Sequence, residues 1–189
     1  MKKQFVSMFS FVFTVLLFLA LGNSAFAGGI SKENNSLSDR AKPYGVIPIR
    51  EVYASSELIE DGLVYVAENA VDGKTGTCWV EGADGYGVGE TITLFLDGTY
   101  DVSKLSITGG WAISSELFDH NAKPAVLYAY FSSSPNEHYR ITLDETSSTQ
   151  SFEIEEENVK WVTFEIREVF QGKKGVYDTC ISEITLYGK

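Results

Sequence analysis

Residues 79–90, WVEGADGYGVGE, contain four glycines interleaved with acidic and aromatic side chains. Glu81, Asp84 and Tyr86 supply carboxylates that can accept hydrogen bonds from sugar hydroxyls and a ring that can cover an apolar face. Glycine permits positive φ and close approach of the backbone to a ligand. Long glycine-rich loops in compact domains usually have a function, such as contact with a ligand. The stretch predicts one wall of a binding cleft, braced by Glu81 and Glu90. The alternative is a flexible surface loop.

A second stretch carries the candidate stacking residue, Trp111, directly after Gly110. A pyranose has an apolar C–H face and a ring of hydroxyls, so an aromatic plate beside planar polar groups suits it. Asn121, at the end of the same polar and aromatic stretch, is a candidate polar contact. The alternative places Trp111 at the end of a core strand, where it closes the mouth of the barrel. Trp79 and Trp161 are expected in the core.

An oxygen-rich turn precedes the glycine-rich stretch, with Asp72, Gly73, Thr75 and Thr77 in six residues. Calcium takes six to eight oxygen ligands, many of them backbone carbonyls. Such a turn is typical of a structural calcium site. The alternative is an ordinary Asp-Gly turn with Thr77 as a cap.

Catalytic signatures are weak. The histidines are His120 and His138, and the sequence has no G-x-S-x-G, H-E-x-x-H or reactive Cys–His motif. Acidic residues are many, but their spacing along the chain does not define the carboxylate separation that glycoside hydrolysis needs. We therefore expect a protein that is not an enzyme.

The first 27 residues predict a secretory signal peptide, with two lysines, an apolar run and a small-x-small site ending at Ala27. The alternative is an uncleaved membrane anchor. Cleavage removes the two lysines and takes the net charge from −11 to −13. A chain this acidic is a poor partner for nucleic acid or anionic lipid. No transmembrane segment is expected after cleavage.

Two cysteines, Cys78 and Cys180, remain in the expected mature chain. An even cysteine count in an oxidising compartment predicts a disulfide between them. The alternative is a pair of free buried thiols.

The elements that must position these residues are strands. Residues 28–45 are polar and predict a flexible lead-in, and residues 46–189 predict one domain. Segments rich in Val, Ile, Thr, Tyr and Phe alternate at period two. Only residues 65–73 could form a helical turn. About eight strands without βαβ spacing predict an all-β antiparallel sandwich. Long loops at 55–90, 109–124 and 170–180 would cluster at one end. The strand segments begin at residues 46, 91, 104, 125, 138, 150, 160 and 180.

Two separated motifs resemble the discoidin, or coagulation-factor type C, superfamily, which has a galactose-binding-like jelly-roll fold. They are ENAVDGKTGTCW (residues 68–79) and the terminal ISEITLYG. The glycine-rich stretch, Gly110-Trp111, Asn121 and the string DTCISEI (178–184) resemble one branch more narrowly. That branch is the NADase-type glycan-binding domain of Gram-positive bacteria. The resemblance covers about residues 50–188.

The resemblance implies a calcium ligand set of Asp72, the carbonyl of Lys74, Thr77 and Glu183. It implies a secreted, extracellular bacterial module that binds an oligosaccharide of a cell surface or matrix without catalysis. Gly109, Ile113 and Ala122 depart from the branch's pattern, so either a different glycan specificity or weak binding is expected. The alternative function is an adhesion domain that binds a protein partner through the same loops. A membrane-lipid reader is disfavoured by the acidic charge.

Overall fold

The computed structural model describes residues 44–189. The predicted signal peptide, its Ala27 cleavage site and nearly all of the lead-in lie outside these residues. The first described strand begins at Gly45, the last residue of the expected lead-in. Within the described range, no helix combines the length and the hydropathy of a membrane span.

The described chain is mostly antiparallel strand, as the period-two alternation predicted. The strands are β1 Gly45–Val46, β2 Ile49–Ala54, β3 Ile59–Glu60, β4 Leu63–Val64, β5 Trp79–Val80, β6 Thr91–Gly109, β7 Lys123–Phe131, β8 Tyr139–Thr142, β9 Gln150–Phe170 and β10 Cys180–Gly188. A 3-10 helix spans Ala67–Ala70, where a helical turn was expected. A short helix, α1, spans Ser115–His120 and was not expected.

Strands β6 and β9 are each longer than predicted, because two expected strands join into one at each place. Their register shifts repeatedly between Phe95 and Lys104. Before these shifts β6 pairs with β2, and after them it pairs with β10. The two long strands therefore bend and contribute to both layers of the sandwich.

One apolar core lies between the layers. Every second residue is buried over residues 91–96 of β6 and 161–166 of β9, including Ile92, Leu94, Val162 and Phe164. Trp79 is fully buried, as expected for a core tryptophan. Trp161 is only partly buried, so the expectation that it lies in the core is wrong. The alternation of β9 directs its side chain to the outer face of the sheet.

Candidate functional site

The three long loops meet at one end of the sandwich, as the sequence predicted. The Gly110 amide donates to the Cys180 carbonyl at 2.8 Å. The Ala122 amide donates to the Asp178 carbonyl at 3.0 Å, and the Glu81 amide reaches the Thr179 carbonyl. Residues 178–180 thus hold both other loops together. We call this region the loop end.

The glycine-rich segment 81–90, here called the glycine comb, is fixed by two carboxylates. Glu81 is 1% exposed and accepts hydrogen bonds from the amides of Ala83 at 2.9 Å and Thr179 at 3.2 Å. Burial raises the pKa of Glu81, and these two amides oppose the rise. Glu90 accepts from the hydroxyls of Ser55 and Ser56. The expected bracing is confirmed, although Glu90 binds hydroxyls rather than loop amides.

Three residues predicted to contact a glycan make hydrogen bonds or packing contacts within the protein. The Glu81 carboxylate is buried by the bonds described above. Asn121 is 7% exposed, ends α1 and donates to the Leu117 carbonyl at 3.0 Å. Gly110 has φ +73°, and a Cβ there would lie 2.8 Å from the Phe118 ring. Each of the three has a structural role at the loop end, and their contact with a glycan stays a prediction.

Trp111 also has a packing role in the structure. Its indole Nε1 donates to the Gly76 carbonyl at 3.1 Å, and its ring lies edge-on to Tyr65 with centroids 5.6 Å apart. It packs against the small cluster of Cys78, Val80 and Cys180. This placement matches the alternative in which Trp111 closes the end of the barrel, and it leaves only part of the indole surface to solvent.

The aromatic surface that remains at the loop end is a tyrosine pair. Tyr86 of the glycine comb and Tyr177 lie edge-to-face with ring centroids 5.1 Å apart. Tyr177 is 50% exposed, and the neighbouring Asp84 is exposed. The Thr179 hydroxyl donates to the Tyr86 carbonyl at 2.8 Å and fixes that part of the comb. Tyr177 was missed from the sequence, although an aromatic residue in the third long loop is the signal that marks it.

The four predicted calcium ligands come together beside the 3-10 helix. Thr77 Oγ1 donates to Asp72 Oδ2 at 2.9 Å and also lies 3.0 Å from the Lys74 carbonyl oxygen. The Glu183 carboxylate accepts from the Gly73 amide at 2.9 Å, which ties the turn to the last strand. The described residues contain no group of three or more His, Cys, Asp or Glu side chains that could hold a metal. A cation here would depend on the hydroxyl and carbonyl oxygens as well as two carboxylates.

Two carboxylates of this turn region, Asp72 and Glu183, lie close enough to interact electrostatically. Burial raises the pKa of Glu183 to about 7, the Gly73 amide opposes the rise and the Asp72 charge adds to it. The Lys74 ammonium lies 3.5 Å from Asp72 Oδ2 and is largely exposed. An oxygen set with two nearby carboxylates, one of them destabilised as an anion, suits a hard divalent cation.

In protein freed of divalent cations, we expect the free energy of unfolding to fall as pH rises from about 4.5 to about 7. The pKa of Glu183 rises to about 7 on folding, so its stabilising contribution is complete below pH 4.5 and is lost through pH 7. The side chain is partly exposed, so solvent screening limits the loss to about 1 kcal/mol. Urea denaturation across this range in EDTA measures it. Over the same pH range, the unfolding free energy of Glu183→Gln should fall less than that of the wild type. If its dependence on pH equals that of the wild type, Glu183 is not the group responsible.

The two cysteines are free thiols in the structure, and both are buried in one cluster. Interaction with Cys78 and burial together raise the pKa of the Cys180 thiol well above its usual range. The two side chains meet as thiols in this structure, and the disulfide between them stays a prediction. The fold brings Cys78 and Cys180 together in one buried cluster, which the sequence alone did not show.

Comparisons with solved structures identify the fold. The chain is similar to the CBM32 of AlyQ in complex with 4,5-unsaturated mannuronic acid, with 18% identity, a TM-score of 0.55 and coverage of 75% of this chain and 97% of that one. It is similar to the family 32 CBM from Clostridium perfringens NanJ in complex with galactose, with 18% identity, a TM-score of 0.56 and coverage of 77% and 99%. A third similar structure, also from C. perfringens, is CpGH89CBM32-5 in complex with GalNAc-β-1,3-galactose, with 21% identity, a TM-score of 0.57 and coverage of 75% and 99%.

At these identities the similarity shows a shared carbohydrate-binding-module fold, a discoidin-like β-sandwich. No curated protein sequence matches the chain. The family profile described as "NAD glycohydrolase translocation F5/8 type C domain" matches residues 44–187, which is most of the sequence and nearly all of the described range. With the sandwich, the converging loops and this match together, the chain belongs to the NAD glycohydrolase translocation F5/8 type C domain family.

Proposed function

We propose that the chain is a secreted, non-catalytic module that binds an extracellular or cell-surface glycan at its loop end. The observation that carries this proposal is the Tyr86–Tyr177 pair, in which Tyr177 is exposed and Tyr86 lies on a loop whose conformation is fixed by a buried carboxylate. A sugar binds through a ring plate and preformed polar groups, and it requires no general acid or nucleophile. The three similar modules were solved with sugars bound, which supports a sugar as the ligand class.

The acidic surroundings favour a neutral glycan. Asp84 and Asp178 lie on the loops that carry the tyrosine pair, and Glu90 lies at the end of the comb. The charges of Glu90 and Asp178 are close enough to raise the pKa of Glu81. An anionic sugar would be repelled by the same charges.

Calcium is proposed as a structural ion at the turn of residues 72–77. Asp72, Thr77, Glu183 and the Lys74 carbonyl would hold it, and it would neutralise the two neighbouring carboxylates. It would stabilise the turn against the last strand and leave the tyrosine pair to bind the sugar. A calcium-dependent rise in Tm that is lost in Asp72→Asn would support this role, and an equal rise in both proteins would contradict it.

Tyr177→Ala is expected to weaken glycan binding about tenfold, because it removes the exposed ring of the tyrosine pair. Tyr44→Ala is the matched control, since Tyr44 is 59% exposed and precedes β1. Both variants and the wild type would be multimerised on beads and applied to a glycan array, since single modules bind weakly. Circular dichroism would show whether each variant is folded.

Selective binding that survives in Tyr44→Ala and falls in Tyr177→Ala would support the proposed site. Equal binding by the folded Tyr177→Ala variant would remove the tyrosine pair from the site. A blank array with folded wild-type protein would reject glycan recognition.

The β3–β4 hairpin favours a second candidate function, the binding of a protein partner. Its Asp61-Gly62 turn has positive φ at both residues, which is typical of a tight two-residue hairpin. Ile59 and Leu63 are 70% and 62% exposed on it. Exposed apolar side chains beside a loop site are typical of protein contacts. Ile59→Ser with Leu63→Ser would abolish capture of such a partner and leave sugar binding unchanged.

A further inference from the structure

The outer face of the sheet β2–β6–β9–β7–β8 carries aromatic side chains where an ordinary solvated sheet face is polar. Strand alternation buries Leu94, Phe164 and Ala129 in the core and turns the residues between them outward. Five aromatic residues have outward positions, and none of the five packs against the core cluster. They are Tyr53, Phe95, Trp161, Tyr128 and Tyr130. We call this surface the aromatic face.

The strand register arranges these rings over neighbouring strands. Tyr53 pairs with Thr93, Thr93 with Thr163, and Thr163 with Tyr130. This row crosses four strands, so Tyr53 and Tyr130 are about 14 Å apart at three strand spacings. Phe95 and Trp161 are direct cross-strand partners in the adjacent row. The rings therefore cover an area longer than one sugar unit.

One edge of the aromatic face is held rigid by a stack of planar groups. Tyr128 stacks on His138 with centroids 4.0 Å apart, and the Arg167 guanidinium lies 4.9 Å from the Tyr128 centroid. Glu165 accepts from the Tyr130 hydroxyl at 2.9 Å and from Arg167 at 2.6 Å. Groups held in this way lose little conformational entropy when a ligand binds.

The face has polar groups between the rings and balanced charge. The hydroxyls of Thr93 and Thr163 are hydrogen-bonded to each other at 2.8 Å in the middle of the long row. Arg167 pairs with Glu165, and Arg140 pairs with Glu168 at 2.8 Å. The face thus offers rings, hydroxyls and paired charges, without a net charge that would select an anionic or cationic ligand.

These properties select among the possible occupants. The core of a protein interface is depleted of charged groups, whereas ion pairs lie among the rings here. A lipid surface would require apolar side chains with basic residues. The outward positions of β6 before its bend and of β9 after its bend instead include three threonines and an acidic residue. These positions are Thr91, Thr93, Phe95, Trp161, Thr163, Glu165 and Arg167. Rings that meet C–H faces, with hydroxyls and planar groups that meet sugar hydroxyls, suit a neutral polysaccharide.

We infer that the aromatic face is a second glycan-binding site, which takes an extended neutral polysaccharide chain across Tyr53, Trp161 and Tyr130. This site lies on the sheet and is distinct from the proposed loop-end site. It adjoins the glycine comb, since Thr91 follows Glu90 and the Ile166 amide donates to the Glu90 carbonyl. Two sites on one module would increase avidity for a polymer.

Affinity electrophoresis of the full chain tests the inference, in gels that contain soluble galactan, mixed-linkage β-glucan or xylan. Hyaluronan serves as the anionic polymer. At least one neutral polymer is expected to retard the wild type. Trp161→Ala and Tyr53→Ala are each expected to weaken this retardation about tenfold. Tyr44→Ala is the exposed-tyrosine control, and Trp161→Phe keeps an aromatic plate and should retain most of the binding. Circular dichroism and size-exclusion chromatography would accompany each variant.

Retardation that is lost in Trp161→Ala and Tyr53→Ala but kept in Tyr177→Ala would support the second site. Loss in Tyr177→Ala alone would place all binding at the loop end and overturn the inference. Migration that no neutral polymer slows would overturn it as well, even if the array shows short sugars bound at the loop end. A dimer that Trp161→Ala dissociates would overturn it in favour of an interface between two copies of the chain.

Discussion

Gly87→Ala is expected to lower the free energy of unfolding by about 3 kcal/mol. Gly87 has φ +62°, and a Cβ at this position would lie 2.3 Å from Cδ of the buried Glu81 side chain. An L-residue in this left-handed region costs about 1–2 kcal/mol. Displacing the Glu81 carboxylate from its two amide donors adds about 1–3 kcal/mol, because a buried polar group loses its partners. Urea denaturation at constant pH measures the change.

Gly85→Ala is the matched control for this prediction. Gly85 lies in the same comb with φ +90°, but a Cβ there would meet nothing within 4 Å. Its expected cost is therefore only the conformational term of about 1–2 kcal/mol. Equal losses in the two variants would show that contact with Glu81 does not fix the comb. If the prediction holds, Gly87→Ala should also weaken sugar binding, because Tyr86 directly precedes residue 87 and would shift with it.

Trp111→Ala is expected to destabilise the fold by about 2–3 kcal/mol. The indole is partly buried against the cluster of Cys78 and Cys180 and donates a hydrogen bond to Gly76. Truncation of a fully buried tryptophan costs about 3–5 kcal/mol, and partial exposure reduces that figure. The unfolding free energy measures the loss. The rate at which Ellman's reagent reacts with the two buried thiols reports whether the cluster has opened.

Trp111→Phe separates packing from hydrogen bonding. It keeps a ring near Tyr65 and removes the Nε1 donor, so we expect a loss of about 1 kcal/mol and little change in thiol reactivity. If Trp111→Ala had wild-type stability and unreactive thiols, the packing role would be contradicted. Trp111 would then again be a candidate for stacking against a sugar ring. A loss of binding in Trp111→Ala is otherwise ambiguous, because the variant loosens the loop end. Tyr177→Ala is the cleaner test of the site.

Much of the fold was predictable from local pattern. Alternation at period two depends only on which side of a strand each residue faces, so strands such as β10 were located closely. The joining of two segments into β6 and into β9 was not predictable. A bend inside a continuous strand depends on its register with neighbours in both layers, and the intervening Gly and Asp residues were typical of a turn. The short helix α1 was missed because one turn and a half gives no helical period.

The site was predictable as a region and less so as a set of side chains. The sequence located the three loops, and the resemblance implied the Asp72, Thr77 and Glu183 grouping that the structure brings together. The sequence could not distinguish acidic residues that are exposed from those that are buried. Glu81 and Asp84 are both acids of the same comb, yet Glu81 is buried against Thr179, which is 98 residues away in the chain, and Asp84 is exposed.

The sequence by itself therefore determined the all-β class, the positions of most strands, the family and the loops that meet at the loop end. Tertiary structure alone decided that Glu81 and Asn121 support the loop end, that Trp111 packs over the cysteines, that Tyr177 is exposed and that the rings of the aromatic face lie on the outer side of the sheet. The reason is physical: strand periodicity is a property of neighbouring residues. Burial and exposure in a loop depend on contacts across the chain, such as the 110-residue separation between Gly73 and Glu183.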